Sequence, residues 1–279
     1  MSEAELSLIN KVELRIALAE NDKQFEQALN TYLTPLLLKL SSPYADVRKA
    51  VFKIIQDVIP RISAARTIEI PINALLDQVR EPKTPKDADS SNVRLYSLLF
   101  ISRGIDRLTD EEMTALVPKV VEGIASYPKS TAARLFYILS KLLASWKSPD
   151  KHSPEYANMK TKLCLDKNPD DEKYLTSKIL KFLLLRPNTT PNPIQSPGLS
   201  VDDNSFFTRD AGVAYKSQDE IFVVKKRFLE LLKSGFDDSS LSIPLMIASV
   251  DDSSAINDSS EILFRKLKVN VEDPEFVST

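Results

Sequence analysis

Apolar positions recur at three- and four-residue steps along most of this chain. Leu6, Ile9, Val12 and Ile16 make one such series, which predicts a helix over 3–20. Leu14 and Leu18, four apart, fall on another side, so that helix is expected to be covered on more than one face. A second helix is predicted from Asp22, with Asp22 as its cap and Phe25, Leu29 and Leu33 on its apolar side. Leu33 to Leu40 follows as a short apolar helix of its own. Ser41-Ser42-Pro43 stops it, because proline disfavours the α conformation in the residue before it. Asp46 is then placed to cap the next helix and to meet the positive end of its dipole. In that helix Ala50, Val51, Ile54, Ile55, Val58, Ile59 and Ile62 form one stripe, and Lys49, Lys53, Gln56 and Arg61 form the opposite, water-facing side.

The pattern repeats. "VRKAVFKII" opens at Val47 and "VRLYSLLFI" at Val93, which sets Arg48 and Arg94 46 residues apart; Arg134 in "AARLFYILSKLLA" comes 40 further on. Upstream of each arginine lies a proline-bearing helix, marked by Pro35, Pro71 and Pro118 at steps of 36 and 47. Two markers recurring in order at this interval predict stacked helix pairs of the HEAT or armadillo type. Arg48 and Arg94 are expected to pair with acids of adjoining repeats. A fourth unit is read from "PLMIASVDDSSAIN", Pro244 to Asn257, with "SEILFRKLKV" as its second helix and asparagine where the others have arginine. The fold class is therefore all-α, an α-solenoid of helix pairs. Its parts are an N-terminal helical cap over 1–30, repeats over 31–185, a long loop insertion over 186–220 and a further repeat over 221–279 that continues in a longer protein.

Two segments break the periodicity. Residues 80–92, "REPKTPKDADSSN", read as a loop within one repeat. Residues 186–220 carry Pro187, Pro191, Pro193 and Pro197 and exceed an ordinary connection, so they form either a mobile insertion or an ordered loop carrying function. Helix resumes in "IFVVKKRFLELLKSG", 221–235, with apolar Phe222, Val223, Phe228, Leu231 and Leu232, and Gly235 suits the turn after its end. The final "VEDPEFVST" has no capping-helix pattern, which suggests a fragment of a longer stack.

Composition narrows the function. The chain has 279 residues, 43% hydrophobic and 27% charged, the balance of a folded soluble protein. With 37 basic and 39 acidic residues the net charge is −2, so no global field draws in nucleic acid or an acidic membrane. Five glycines and 17 prolines argue against tight hairpins and phosphate-cradling loops. No dinucleotide, P-loop or nucleophile-elbow motif occurs. The single Cys164 cannot form an internal disulfide, and the N-terminus lacks the order of a signal or transit peptide, so a reducing intracellular compartment is expected.

Candidate chemistry is sparse. His152, the one histidine, sits in loop-like "SPDKHSPEY", and Cys164, in "MKTKLCL", reads as a small buried hydrophobe. The pairs Asp170-Asp171, Asp202-Asp203 and Asp251-Asp252 read as solvated loops or helix caps. Lys225-Lys226-Arg227 is the densest basic run and reads as a solvated helix face. Ser42, Ser148, Ser153 and Ser196 each precede proline and are open to phosphorylation. No catalytic residue, metal site or cofactor is predicted.

Taken in order, "PLLLKLSSPYADVR", "IPINALL", "NVRLYSLLFISRGIDRL", "SPGLS" and "IPLMIASVDDSSAIN" resemble the N-terminal region of the large HEAT-repeat proteasome adaptor and scaffold family of fungi and animals. The resemblance covers essentially the whole chain. It implies a non-catalytic scaffold that binds the proteasome core particle and regulatory particle, takes part in assembly quality control, and works in cytoplasm and nucleus. It implies no cofactor, no nucleic acid, no small-molecule substrate and no membrane insertion. It carries no residue-level contact motif, so the partner-binding residues stay unknown. The alternative is another protein-binding solenoid, such as a nuclear transport receptor.

Overall fold

Alternating apolar stripes become packed helices in the computed structural model, which describes residues 2–84, 88–186, 196, 198–215, 217–251 and 253–267. Every regular element among them is helical. The chain divides into two units, residues 1–109 and 110–279.

In the first unit α1 spans Ser2–Ala17, α2 Asp22–Leu38, α3 Ala45–Ala64, α4 Ile72–Arg80 and α5 Ser91–Gly104. Helix α1 packs on α2 and α3, α4 pairs with α5, and α5 also meets α2. The α3 stripe holds: Val51, Ile54, Ile55, Val58 and Ile62 are buried, joined by Val47. Leu29, Leu33 and Leu37 of α2 are buried as well. Gly104 lets α5 approach the start of α4, since a Cβ there would lie 3.0 Å from Ile72 Cδ1.

Several local expectations are corrected. Helix α2 runs unbroken through Pro35, so Leu33–Leu40 is no separate helix; it tightens into a 3-10 turn over Lys39–Ser41. The stop comes where predicted, with Ser42 extended (ψ 139°) ahead of Pro43. The cap of α2 is Asn21, whose side chain accepts from the Gln24 amide, and Asp22 is already helical. Tyr44 occupies the cap position of α3, leaving Asp46 in its first turn to meet the dipole alone. Leu14 and Leu18 are exposed, so α1 is covered on one face only. Pro71 sits at the cap of α4, whereas Pro35 and Pro118 lie inside their helices.

The second unit contains α6 Asp110–Val121, α7 Lys129–Leu142, α8 Pro154–Ala157, α9 Met159–Lys162, α10 Pro169–Leu183, α11 Val201–Ser205, α12 Gln218–Leu232, α13 Asp238–Ala248 and α14 Ser254–Phe264. Its core is aromatic. Phe136 of α7 stacks on Phe228 of α12 with centroids 4.6 Å apart, and Phe182 of α10 meets Phe207 edge-on at 5.3 Å. Phe206 and Phe207 belong to a single π-helical turn, Phe206–Asp210, that continues α11. Thus the segment read as an insertion places two buried rings at the centre of this unit. Its prolines 187, 191, 193 and 197, like the final 271–279, lie outside the described residues.

Helix α12 begins at Gln218, capped by Ser217, and buries Phe228, Leu231 and Leu232 of the expected apolar positions, leaving Phe222 half-buried. Ile221, Val224, Phe228, Leu231 and Leu232 are buried, while Val223 is exposed. Gly235 takes the left-handed conformation expected of it, φ +86°. The fourth unit forms as the hairpin α13–α14, with Pro244 inside α13 and Asn257 in the first turns of α14.

Candidate functional site

The residues singled out by sequence do not converge. Cys164 is half-buried and holds a left-handed φ of 60° just after α9, where its amide donates to Thr161 and the Leu165 amide donates to Lys160. Cys164 is thus the C′ residue of a Schellman turn rather than a packed core residue. His152 is exposed, its amide donating to Asp150 Oδ1 at 2.8 Å. Among the described residues no group of three or more His, Cys, Asp or Glu side chains could hold a metal ion. No helix among them is long and apolar enough to cross a membrane.

The arginines that mark the repeats bond to backbone carbonyls. Arg48 Nη1 donates to the Ser42 carbonyl at 2.6 Å, and Arg94 Nε donates to the Val79 carbonyl at 3.0 Å. These carbonyls lie at or just beyond helix C-terminal ends, where the last turn has no acceptor partner and a cation is favoured. Pairing with acids of adjoining repeats is therefore replaced by capping within the hairpin. Arg61, assigned to the water-facing side of α3, does the same work: Nη1 and Nη2 reach the Ile16 and Ala19 carbonyls at 2.8 Å each, and the guanidinium lies 3.9 Å from the Phe25 ring centroid. Arg134 departs from the series. Its Nε is buried with no hydrogen-bond partner, its guanidinium crowds Gly212, and burial pushes its pKa down against the pull of Asp210.

Four charged side chains read as solvated are tied into the fold. Lys225 and Asp251 form a buried ion pair at 2.7 Å between α12 and the turn after α13. Arg227 donates to the Ser140 carbonyl at 3.0 Å, so only Lys226 of the basic run is exposed. Asp171 is fully buried and accepts from the Gly123 and Ala125 amides at 2.8 and 2.9 Å, closing the 3-10 turn Ile124–Ser126. Beside it, Glu172 accepts from the Asp237 amide at 2.8 Å, at the start of α13, and from Lys160 at 3.0 Å. Carboxylates can be buried where backbone donors and a cation satisfy them.

Asp203 binds α11 to α10, accepting from Lys181 at 2.9 Å with Lys178 at 3.7 Å. Burial would raise its pKa, but the hydrogen bonds from Lys181 and Ser200 prevail and hold it below the usual carboxylate value. Lys178 lies 4.3 Å from the Phe206 ring centroid, and burial, aided by Lys181, lowers its pKa. Burial likewise pushes the Tyr174 phenol up to about 12. These groups stabilise the fold and are poorly placed to meet a ligand.

What remains for recognition is surface. In the second unit, Ser148, His152, Glu230, Leu241 and Leu263 help to wall a cavity of about 440 Å³ lined by both leucines and charged side chains. Exposed apolar side chains stand at Leu8 and Leu14 of α1, at Leu18 just after it, and at Met246, Val250 and Ile262 of the last hairpin. Leu14 and Leu18 could be read from sequence as a second stripe. The cavity could not, because its walls are about 80 residues apart in the chain.

The helical hairpins define a helical-repeat protein. The chain belongs to the family described as "Proteasome component ECM29, N-terminal", which matches residues 9–279. It is 36% identical over 98% of its length to the Saccharomyces cerevisiae protein named "Proteasome component ECM29", covering 15% of that protein. It is 32% identical over 89% of its length to the Drosophila melanogaster "Proteasome-associated protein ECM29 homolog", covering 12% of it. With the human "Proteasome adapter and scaffold protein ECM29" it shares 30% identity over 54% of this chain and 8% of that one. The chain thus spans well under a fifth of the length of these relatives. No solved structure matches it.

Proposed function

We propose that this chain is the N-terminal helical-repeat portion of a proteasome-associated scaffold. The observation that carries the reading is the 36% identity over 98% of the chain to a protein named as a proteasome component. In this reading the protein works in cytoplasm and nucleus without catalysing a reaction. It bridges or stabilises the core and regulatory particles and takes part in quality control of their assembly. Stacked hairpins suit such a role because they offer a long surface, and partner binding stabilises whichever assembly state fits that surface better. The reading keeps the expected partition of the chain: a cap over 1–30, repeats over 31–185, an inserted segment over 186–220, and a further repeat from 221.

The test is affinity purification of the full-length protein, with and without ATP, followed by mass spectrometry. Core- and regulatory-particle subunits are expected among the recovered proteins. Deleting residues 1–279 from the full-length protein should then reduce recovery of proteasomes or alter their core-to-regulatory ratio. Unchanged recovery and ratio would remove this region from the scaffold's working surface.

A further inference from the structure

Proline follows serine or threonine at seven places: Thr34, Ser42, Thr84, Ser148, Ser153, Thr190 and Ser196. Only Ser148 has a basic residue three positions on, in Ser148-Pro149-Asp150-Lys151. The corresponding residues after the other serines are Ala45, Tyr156 and Leu199. The structure separates the serines further. Ser42 and Ser196 are sealed at 7% and 4% exposure, and Ser153 is tied down as the cap of α8. Residues 146–150 lie outside any helix, and Lys147, Asp150, Lys151 and His152 are exposed. A non-helical segment with no amide hydrogen after the acceptor serine and a cation beyond it suits the cleft of a proline-directed kinase that selects a basic residue at the third position.

We infer that Ser148 is a phosphorylation site for a kinase of this class, and that its modification releases segment 146–153 from α12. The chemistry is transfer from ATP. Ser148 Oγ bonds to the γ-phosphorus, the bond from that phosphorus to the β–γ bridging oxygen breaks, ADP leaves, and the hydroxyl proton passes to the kinase's catalytic carboxylate.

The release follows from what holds Ser148. Its hydroxyl donates to the Lys233 carbonyl at 3.0 Å, and its amide donates to Glu230 Oε1 at 3.2 Å. A phosphoester oxygen has no proton to donate, so it would face the Lys233 carbonyl as a second acceptor. The phosphate would also bring roughly −1.5 to −2 of charge beside Glu230. The hydroxyl contact turns from attractive to repulsive, and the phosphate repels the carboxylate that holds the Ser148 amide. Ser148 walls the 440 Å³ cavity, so its departure changes that cavity's entrance. Two residues earlier, buried Trp146 donates from Nε1 to Ser234 Oγ at 3.0 Å, and it is the chain's one tryptophan.

The experiment treats the full chain with ATP and a cyclin-dependent kinase, locates phosphate by mass spectrometry, and records tryptophan emission before and after. Phosphate on Ser148 with a red shift of Trp146 emission is expected. Ser148→Ala should lose that phosphate and the shift. Lys151→Ala, a change at an exposed side chain that leaves the fold intact, should lose most of the incorporation. No incorporation, incorporation only at other serines, or incorporation indifferent to Lys151→Ala would overturn the site. Full phosphorylation of Ser148 with unshifted emission would overturn the release.

Discussion

Residues 2–109 bury mainly aliphatic side chains together with Phe25 and Phe100, whereas residues 110–267 gather five phenylalanine rings in mutual contact. The two units also differ in the polar groups they lean on, although Arg227 caps a carbonyl in the second as well. In the first, arginines at the margin reach back to helix-end carbonyls: Arg48 to Ser42, Arg61 to Ile16 and Ala19, Arg94 to Val79. In the second, carboxylates go inside and collect helix-start amides: Asp171 from Gly123 and Ala125, Glu172 from Asp237. Each solution answers the same requirement, that helix termini leave groups unpaired. The difference lies in cost. An arginine cap keeps its charge near water, while a buried carboxylate depends on every one of its donors.

The largest expected effect breaks the aliphatic side of the comparison. Ile54 is 1% exposed in α3, and Ile54→Asp places an unpaired carboxylate in a buried stripe beside Val51 and Val58. We expect a loss of about 5 kcal/mol or more, enough to unfold the first unit, read as lost amide protection across α2 and α3. Unchanged protection would show that this stripe is not core.

Next comes the aromatic side. Phe136 touches Phe182, Phe206, Phe207 and Phe228, so Phe136→Ala removes one partner from four ring contacts. A cost of about 4 kcal/mol is expected from lost burial and the cavity left behind. Denaturant unfolding measures it, and a cost below about 1 kcal/mol would mean the rings repack freely.

The buried ion pair sharpens the contrast in polar groups. Lys225→Met should cost about 3 kcal/mol, because Asp251 stays buried without its cation. Adding Asp251→Asn keeps an acceptor for the Ser253 amide and should restore most of that loss. If the double variant is no more stable than the single one, the pair's charge was never the source of the cost.

Arg61→Ala breaks a marginal cap instead, and about 2 kcal/mol is expected from two charge-assisted bonds and the Phe25 stack. Arg61→Lys should recover only part of it in a thermal melt, since an ammonium group cannot fork to two carbonyls. Full recovery by lysine would reduce the role to charge alone.

The contrast also separates what the sequence carries from what it hides. Helix pairing was legible because Val51, Ile54, Ile55, Val58 and Ile62 recur with the helical period, and that period belongs to the residues themselves. The stop before Pro43 and the left-handed Gly235 were legible for the same reason. Lys225 and Arg227 were misread as solvated because their partners, Asp251 and Ser140, lie 26 and 87 residues away. The segment Val201–Asp210 looked like loop because its first helical turns are Asp202, Asp203 and Asn204. The two aspartates meet Lys129, Lys181 and Ser200, while Phe206 and Phe207 turn inward against rings of α7 and α10 that the local sequence does not contain. No site was predicted, and recognition by surfaces gathered from distant segments leaves no local motif to find.

The smallest effect tests the marginal kind of charge by titration. Glu5 of α1 accepts from Lys39 at 2.9 Å and from Ser42 Oγ at 3.0 Å. The Lys39 hydrogen bond is the main cause of its lowered pKa, with burial opposing and Ser42 assisting. A carboxyl whose folded value lies below its unfolded one binds fewer protons when folded. Its stabilisation is therefore complete above the unfolded value, about 4.3, and is lost as pH falls through the lower folded value. Side chains this exposed limit the gain to below about 1 kcal/mol. We expect the Glu5 carboxyl carbon to titrate below the ordinary glutamate midpoint by NMR, and Glu5→Gln to flatten the acid limb of stability in the first unit. A Glu5 midpoint at or above the ordinary value would mean that Lys39 lies close to Glu5 without holding its charge.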